Sequence, residues 1–190
     1  MIGDATGNSV PAAVVMTAVH GALAALLAGR HDDARDTARV LERVNRALFR
    51  TRKLPHFMSL IYGVLDTRTL KFKYSNAGHP SPLLLRDGET ISLDSHDLLL
   101  GIIDESEYTS DTIELRPNDV LLCYTDGISE SRNLDRQLFG LEGILTSVGP
   151  NPDDVDTLTL LNRVWNRQTA FAVPSQAEDR SLLIARVLPD

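Results

Sequence analysis

The sequence predicts an α+β sandwich, and three observations lead to this prediction. Two helical patterns come first, a series of short strands separated by tight turns follows, and helices with one last strand complete the order. Strands joined by short turns pair antiparallel, whereas regular alternation of strands and helices would have favoured a parallel sheet. The chain has 190 residues, 43% of them hydrophobic and 24% charged, which is enough to bury a core. We therefore expect one globular domain over residues 1–190.

The first helix is predicted over residues 10–28, with Ser9 as its N-terminal cap. This stretch is apolar on nearly every side, so we expect it to pack against both a sheet and a second helix. Its only ionisable side chain is His20, and its length approaches that of a membrane span. Alanine dominates the stretch, however, and Pro11 suits the first turn of a soluble helix. We therefore expect a helix of a soluble domain that makes no membrane contact.

A second helix is predicted over residues 33–50. Its apolar residues recur at steps of three and four, while arginines occupy the other face, as is typical of an amphipathic helix. The arginine face is expected to be solvated, and a docking surface for a protein is the alternative. The apolar face consists of Ala34, Ala38, Leu41, Val44 and Leu48.

Strands are predicted from residue 57 onward, where the apolar pattern changes its period. Residues 57–65 form a buried strand, residues 66–69 a turn, and residues 70–74 alternate between apolar and lysine side chains. This is the pattern of a β-hairpin with one solvated face. The later elements are strands over residues 82–86 and 90–93 around the Asp87-Gly88 turn, a pair of strands over residues 112–115 and 120–124, helices over residues 141–148 and 153–170, and a last strand over residues 181–187.

The charge balance and the cysteine count exclude several kinds of function. The formal net charge is −7 and the isoelectric point is near 5.2. Binding a nucleic-acid backbone requires clustered lysines and arginines, so we expect no nucleic acid among the partners. Cys123 is the only cysteine, which rules out an intrachain disulfide and a cysteine-based zinc site and fits a cytoplasmic protein.

Acidic residues stand at the ends of three predicted strands. Asp4 follows the first strand, Asp126 follows the strand over residues 120–124, and Glu178 and Asp179 precede the last strand. Short carboxylates at strand ends can converge on one point, and hard cations such as Mg²⁺ and Mn²⁺ prefer oxygen ligands. The spacing alone leaves a second interpretation open, in which each acid is a solvated or capping group.

Six motifs surround these acids, and they span almost the whole chain. They are residues 3–13 (GDATGNSVPAA), 62–66 (YGVLD), 74–83 (YSNAGHPSPL), 99–102 (LLGI), 124–133 (YTDGISESRN), and 139–140 (FG) with 178–183 (EDRSLL). In these motifs and their order, the chain resembles the SpoIIE/RsbU-type branch of the PP2C metal-dependent serine/threonine phosphatases. An ordered series of this kind is far more specific than an isolated Asp-Gly turn.

This resemblance implies a four-layer α/β/β/α sandwich with two antiparallel sheets, and hydrolysis of phosphoserine or phosphothreonine on a protein. It implies that Asp4 bridges two metal ions, Mn²⁺ or Mg²⁺, and that the carbonyl group of Ala5 is a further ligand. It also implies that Asp126, with Glu178 and Asp179 in the last motif, holds the second metal. Two cations roughly 3.5–4 Å apart generate hydroxide from water and neutralise phosphate, so no protein nucleophile is required. Asp4 and Asp126 are thus the residues expected to carry catalysis.

The resemblance also implies partners and one alternative. The substrate is expected to be a phosphorylated regulatory protein of the anti-anti-sigma (STAS) type in bacterial partner switching, and the chain is expected to dimerise through its first two helices. The family carries one more aspartate in strands that precede its first motif, so we expect a domain that lacks its N-terminal strands. That departure, and Glu178 in place of an aspartate, leave open a catalytically impaired binding or dimerisation module.

Overall fold

The protein folds into two compact units, which a computed structural model describes over residues 1–7, 9–28, 34–51, 57–94, 97–150, 152, 155–173 and 179–189. The first unit comprises Met1–His79 and Asp94–Leu115, and the second comprises Pro80–Leu93 and Arg116–Asp190. The elements follow one another as β1 (Ile2–Ala5), α1 (Ser9–Leu27), α2 (Thr37–Arg50), β2 (Met58–Asp66), β3 (Lys71–Ala77), β4 (Leu83–Arg86), β5 (Glu89–Ser92), β6 (Asp111–Glu114), β7 (Val120–Tyr124), α3 (Asp126–Ser129), α4 (Gly140–Val148), α5 (Thr157–Phe171) and β8 (Leu182–Arg186).

The first unit contains a four-stranded antiparallel sheet with the order β1-β2-β3-β6. The predicted hairpin of β2 and β3 is confirmed. Its turn is closed by the carboxylate of Asp66, which accepts hydrogen bonds from the amide groups of Arg68 and Thr69 at 2.9 and 3.2 Å. Asparagine and aspartate favour turns because their short side chains bond the backbone in this way.

Helix α2 packs its apolar face onto this sheet. Leu41 and Val44 are completely buried, which confirms the predicted apolar face. The helix begins at Thr37, and the predicted start at residue 33 lies outside the described residues. Asp36 interrupts the helical backbone and caps the following turn by accepting a hydrogen bond from the Arg39 amide at 3.3 Å.

Asn45 of α2 anchors one of the six motifs. Its side-chain amide donates to the carbonyl groups of Ile103 and Asp104 at 2.7 and 3.1 Å, and its carbonyl oxygen accepts from the Gly101 amide at 2.7 Å. Three hydrogen bonds offset the cost of burying this amide completely. The motif at residues 99–102 is therefore held by a polar residue within an otherwise apolar helix face.

Helix α1 packs against β1 and α2 on one side, as predicted, and is exposed on the other. Its inner residues Val15, Val19 and Leu23 are buried, whereas Val10 and Val14 on the outer side are 74% and 48% exposed. By length and composition, Val10–Leu27 could cross a membrane, and only 17% of this stretch is buried. An apolar helix face of this size ordinarily marks a surface for another molecule.

The second unit contains a four-stranded antiparallel sheet with the order β5-β4-β7-β8. β7 lies between two strands, and all five of its residues are buried, which explains why its sequence is continuously apolar. Helices α4 and α5 pack together beside this sheet, and α5 also contacts β8. The core between them includes Leu122, Ile128, Ile144, Leu160 and Val164.

The two strands that follow residue 110 do not pair with each other, so their predicted pairing is wrong. β6 pairs with β3 in the first sheet, while β7 pairs with β4 and β8 in the second. The turn residues between them form a real turn, in which the Asp119 carboxylate accepts a hydrogen bond from the Arg116 amide at 2.7 Å. A turn signal predicts a change of direction, but it does not specify the partner of the strand that follows.

The start of α5 also differs from the prediction. The helix begins at Thr157, and the Asp156 carboxylate caps it by accepting a hydrogen bond from the Thr159 amide at 2.9 Å. The predicted start at residue 153 lies outside the described residues. The predicted helix over residues 141–148 and the predicted last strand are confirmed to within one residue.

Removing the Asp119 carboxylate is expected to destabilise the second unit. Asp119 is 2% exposed and receives two hydrogen bonds from the Arg86 guanidinium, at 2.9 and 2.5 Å. Asp119→Ala leaves a largely buried guanidinium without its counter-charge, which costs about 3 kcal/mol of unfolding free energy. Urea denaturation followed by circular dichroism measures this loss.

The control for that experiment removes both charges. The double variant Arg86→Met, Asp119→Ala is expected to recover part of the loss, because no buried charge then stays unpaired. Asp135→Ala, which removes an exposed carboxylate of the same unit, should leave stability unchanged. A double variant that is no more stable than Asp119→Ala would show that the ion pair is not the cause.

Candidate functional site

Asp4 and Ala5 lie in the first unit at the end of β1. Asp4 stands opposite Ser59 of β2, and the Ser59 hydroxyl donates to the Asp4 carbonyl oxygen at 3.4 Å. Asp4 is partly exposed, whereas Ala5 is buried opposite Met58. The strand thus presents the acidic side chain at its accessible end and seals the neighbouring alanine in the core.

Thr6 fixes the chain immediately after these residues. Its amide and its hydroxyl both donate to the Phe57 carbonyl oxygen, at 2.8 and 3.0 Å, and its hydroxyl oxygen accepts from the Phe57 amide at 2.8 Å. The backbone then turns at Gly7, whose φ of +90° is one that glycine adopts readily. Three hydrogen bonds on one residue therefore hold the end of β1 in place before α1 begins.

His79 has the geometry of a structural residue. It is buried, and its turn is closed by Asn76, which accepts from the His79 amide at 2.7 Å and donates to the His79 carbonyl at 2.9 Å. The ring nitrogen Nδ1 forms a hydrogen bond with the Ser59 hydroxyl at 2.9 Å. Because Ser59 also contacts the backbone of Asp4, this turn supports the strand that carries Asp4.

Asp126 lies in the second unit, directly after β7, and opens the short helix α3. Its carboxylate oxygen Oδ1 accepts a hydrogen bond from the Gly127 amide at 2.8 Å, and the side chain is partly exposed. A buried strand followed by a tight helical turn holds this carboxylate at an accessible strand end.

Asp179 lies against the same turn. A Cβ atom placed on Gly127 would stand 2.2 Å from the Asp179 carbonyl oxygen, so only glycine permits this approach. Next to this contact, Thr125 and Ser181 form two hydrogen bonds: the Ser181 amide donates to the Thr125 hydroxyl at 2.9 Å, and the Thr125 amide donates to the Ser181 carbonyl at 3.1 Å. The structure therefore brings the motifs that carry Asp126 and Asp179 together at the ends of β7 and β8.

These residues have the donor chemistry of a divalent-cation site. Asp126 and Asp179 offer carboxylate oxygens at one end of the second sheet, and hard cations such as Mg²⁺ and Mn²⁺ prefer such ligands. Glu178, the remaining predicted ligand, lies outside the described residues. Within the part of the chain that is described, no three His, Cys, Asp or Glu side chains group closely enough to enclose a metal ion. The carboxylates of the second unit nevertheless fit a divalent cation by their chemistry and their accessibility.

Hydrogen bonds between its own residues shape the loop after α3. The side chain of Asn133 donates to Gln137 Oε1 at 2.8 Å and accepts from the Gln137 amide at 2.9 Å. Arg132 Nη1 donates to the Arg136 carbonyl at 3.0 Å. These bonds hold Leu134 at the tip, where it is 88% exposed.

Adding a methyl group at Gly127 is expected to disturb this arrangement. Gly127→Ala forces the Asp179 backbone away from the turn, and overpacking of this kind costs about 1–3 kcal/mol of unfolding free energy. Thermal unfolding measures the loss. Gly21→Ala is the matched control, since nothing lies within 4 Å of a Cβ atom there and alanine favours the helix by about 0.5–1 kcal/mol. Equal effects of the two changes would contradict the close approach.

Comparisons with known proteins agree with the motifs. The family model described as Stage II sporulation protein E (SpoIIE) matches residues 1–188. The phosphoserine phosphatase RsbU of Bacillus subtilis is 26% identical over 134 residues, which are 69% of this chain and 38% of RsbU. The chain spans 15% of the length of a second curated relative that it matches at 30% identity over 97 residues.

Solved structures show the fold. The SiaA PP2C domain of Pseudomonas aeruginosa has a TM-score of 0.82 at 16% identity, with 98% of this chain and 73% of that chain covered. The catalytic domain of the serine/threonine protein phosphatase PstP, solved with two manganese ions, has a TM-score of 0.74 at 18% identity, with 98% and 86% covered. The predicted PP2C-like α+β fold with two antiparallel sheets is therefore confirmed. By its family match and its fold, the chain belongs to the SpoIIE family, in the SpoIIE/RsbU-type branch of the PP2C serine/threonine phosphatases.

Proposed function

We propose that this chain is the catalytic domain of a metal-dependent phosphatase that hydrolyses phosphoserine or phosphothreonine on a regulatory protein. The observation that carries the proposal is the contact of Gly127 with the Asp179 backbone, which brings two acidic motifs to one strand end. Membership of a family that includes a phosphoserine phosphatase supports the reaction type.

By the family resemblance, the proposed metal ligands are Asp4, the carbonyl group of Ala5, Asp126, Glu178 and Asp179. When bound, two divalent cations, Mn²⁺ or Mg²⁺, supply a nucleophile from water and offset the charge of the phosphoryl group. The crystallised PstP domain holds two manganese ions, which supports this choice of metal.

The chain's own residues have defined tasks in this reaction. The carboxylates of Asp126 and Asp179 are accessible from solvent, so a phosphorylated segment of another protein can reach them. Cys123 is unsuited to act as a nucleophile, because burial raises the pKa of its thiol to about 11 and keeps it protonated. His79 is buried in its turn and is assigned no proton transfer. Water is therefore the attacking group in the proposed reaction.

The net charge of −7 adds a requirement. An acidic chain repels a phosphorylated protein, and bound cations reduce this repulsion at the site where the phosphate must enter. Metal binding would therefore serve both substrate capture and chemistry. By the family resemblance, we propose that the substrate is a phosphorylated anti-anti-sigma (STAS-type) protein in the cytoplasm.

Replacing Asp126 is expected to abolish most of the activity. Loss of an outer-shell partner of a metal ligand costs 10–100-fold, so Asp126→Asn, which removes a proposed ligand, should lower kcat/KM by at least about 100-fold. The assay is Mn²⁺-dependent release of phosphate from a serine-phosphorylated STAS protein. Asp135→Asn, in the loop after α3, is the control and should retain full activity. Wild-type rates with Asp126→Asn would contradict the assignment.

Metal removal separates the phosphatase from the alternative module. Treatment with a chelator is expected to stop phosphate release, and Mn²⁺ or Mg²⁺ should restore it. If the protein releases no phosphate under any metal condition but still binds the STAS protein, the chain is a catalytically impaired binding module. Pull-down and phosphate release measured on the same samples distinguish the two.

We further propose that the exposed side of α1 is covered by a second copy of the chain. The side carries Val10, Val14, Met16 and Leu27, which are between 44% and 74% exposed. Sedimentation is expected to show a dimer, and Val14→Glu should give a monomer that keeps the wild-type circular dichroism spectrum, because a half-exposed side chain contributes little to the monomer core. A wild-type monomer at high concentration would refute the dimer.

A further inference from the structure

Arg180 links the segment before β8 to helix α5. It follows Asp179 in sequence, and its Nη1 donates to Gln168 Oε1 at 2.5 Å and to Thr169 Oγ1 at 3.3 Å. Its guanidinium carbon lies 4.8 Å from the centre of the Trp165 ring. One arginine thus makes two hydrogen bonds and one cation–π contact with a single helix.

The three partners share one face of the helix. Trp165, Gln168 and Thr169 are spaced at i, i+3 and i+4, which places their side chains side by side along α5. The face therefore presents an aromatic ring and two polar groups to one guanidinium. The planar fork of arginine suits such a surface better than the single ammonium group of lysine.

Gln168 gives this contact its specificity. Its side chain is 1% exposed, and burying an amide without partners is unfavourable. Arg180 satisfies the amide oxygen, while the amide nitrogen has no hydrogen-bond partner among the described residues. The buried amide therefore depends on Arg180, and Arg180 is in turn confined to one orientation.

The aliphatic part of Arg180 touches the other acidic motif. Its Cγ atom lies 3.3 Å from the position that a Cβ atom on Gly127 would take, next to the Asp179 carbonyl oxygen. The backbone of Ser181 is bonded to Thr125 on the same side. Residues 179–181 thus contact the turn that carries Asp126 on one side and helix α5 on the other.

The geometry points to Arg180 as a positioning residue, which holds the Asp179 backbone against the Asp126 turn and so sets the placement of two proposed metal ligands. This inference rests on the proposed function for its catalytic consequence, but the holding itself is a property of the metal-free protein. No bond to substrate is assigned to Arg180. Its effect is transmitted through the backbone of the residue that precedes it.

The test compares Arg180→Gln and Arg180→Lys with the wild type. In the metal-free protein, exchange of the Ser181 and Thr125 amide hydrogens, measured by nuclear magnetic resonance, is expected to be about tenfold faster in Arg180→Gln. Mn²⁺ binding, measured by calorimetry, should weaken by about tenfold or more. At saturating Mn²⁺, kcat should fall while KM for the phosphoprotein stays unchanged.

Arg180→Lys and one further variant, Arg167→Gln, keep the result interpretable. Arg180→Lys retains a cation over Trp165 and is expected to fold and to give intermediate exchange and Mn²⁺ affinity, even if Arg180→Gln unfolds. Arg167→Gln removes an exposed arginine from the same helix and should match the wild type in all three measurements.

The outcomes distinguish this inference from the proposed function. Unchanged amide exchange and unchanged Mn²⁺ affinity in folded Arg180→Gln would overturn the positioning role. Wild-type protein that neither binds Mn²⁺ nor releases phosphate would refute the proposed function, while faster exchange in Arg180→Gln would still support the holding of Asp179.

Discussion

The backbone contact between Gly127 and Asp179 is the constraint on which the candidate site of the second unit depends. It occurs at the ends of two paired strands, where a side chain on residue 127 would collide with the Asp179 carbonyl group. The antiparallel pairing of β7 with β8 brings the last residue of β7 beside the first residue of β8. The hydrogen bonds between Thr125 and Ser181 continue this pairing by one residue. Two acidic motifs that are about fifty residues apart in sequence thereby become neighbours.

The position of β7 inside the second sheet explains why all of its residues are apolar or aromatic. β7 pairs with a strand on each edge, and the helices cover the side on which Val120, Leu122 and Tyr124 lie. Its five residues are all apolar or aromatic and all buried. The carboxylate of Asp126, which follows the strand directly, is accessible at this end. Burial of the strand and exposure of Asp126 are thus two results of one arrangement.

The sequence predicts those features that depend on local periodicity and on short motifs. The apolar face of α2, the hairpin around Asp66 and the helix after Phe139 follow from spacing and turn chemistry. The motifs single out Asp4 and Asp126 as metal ligands, and this assignment stays a prediction. Features that depend on distant partners were not predictable. The strands after residue 110 enter different sheets, and nothing near them in sequence specifies which one.

The contacts that surround the acidic motifs could not be predicted from the sequence either. Nothing in the motif around Arg180 predicts that this side chain contacts helix α5. The sequence of that helix also does not predict that Gln168, a polar residue, is buried. The hydrogen bonds of Thr6 with Phe57 join residues fifty-one positions apart. A motif can predict which residues form a site. The contacts that hold those residues depend on how the strands pair, which the motif does not specify.

Cys123 is buried in β7, an inner strand of the second sheet, and its thiol can serve as a chemical probe. A thiol with a pKa raised to about 11 and only 6% exposure to solvent reacts slowly with alkylating reagents until the strand separates from its neighbours. Because it is the only cysteine of the chain, its labelling rate reports opening of the second sheet without interference from other thiols. The thiol of Cys123 is thus a probe of local unfolding three residues from Asp126.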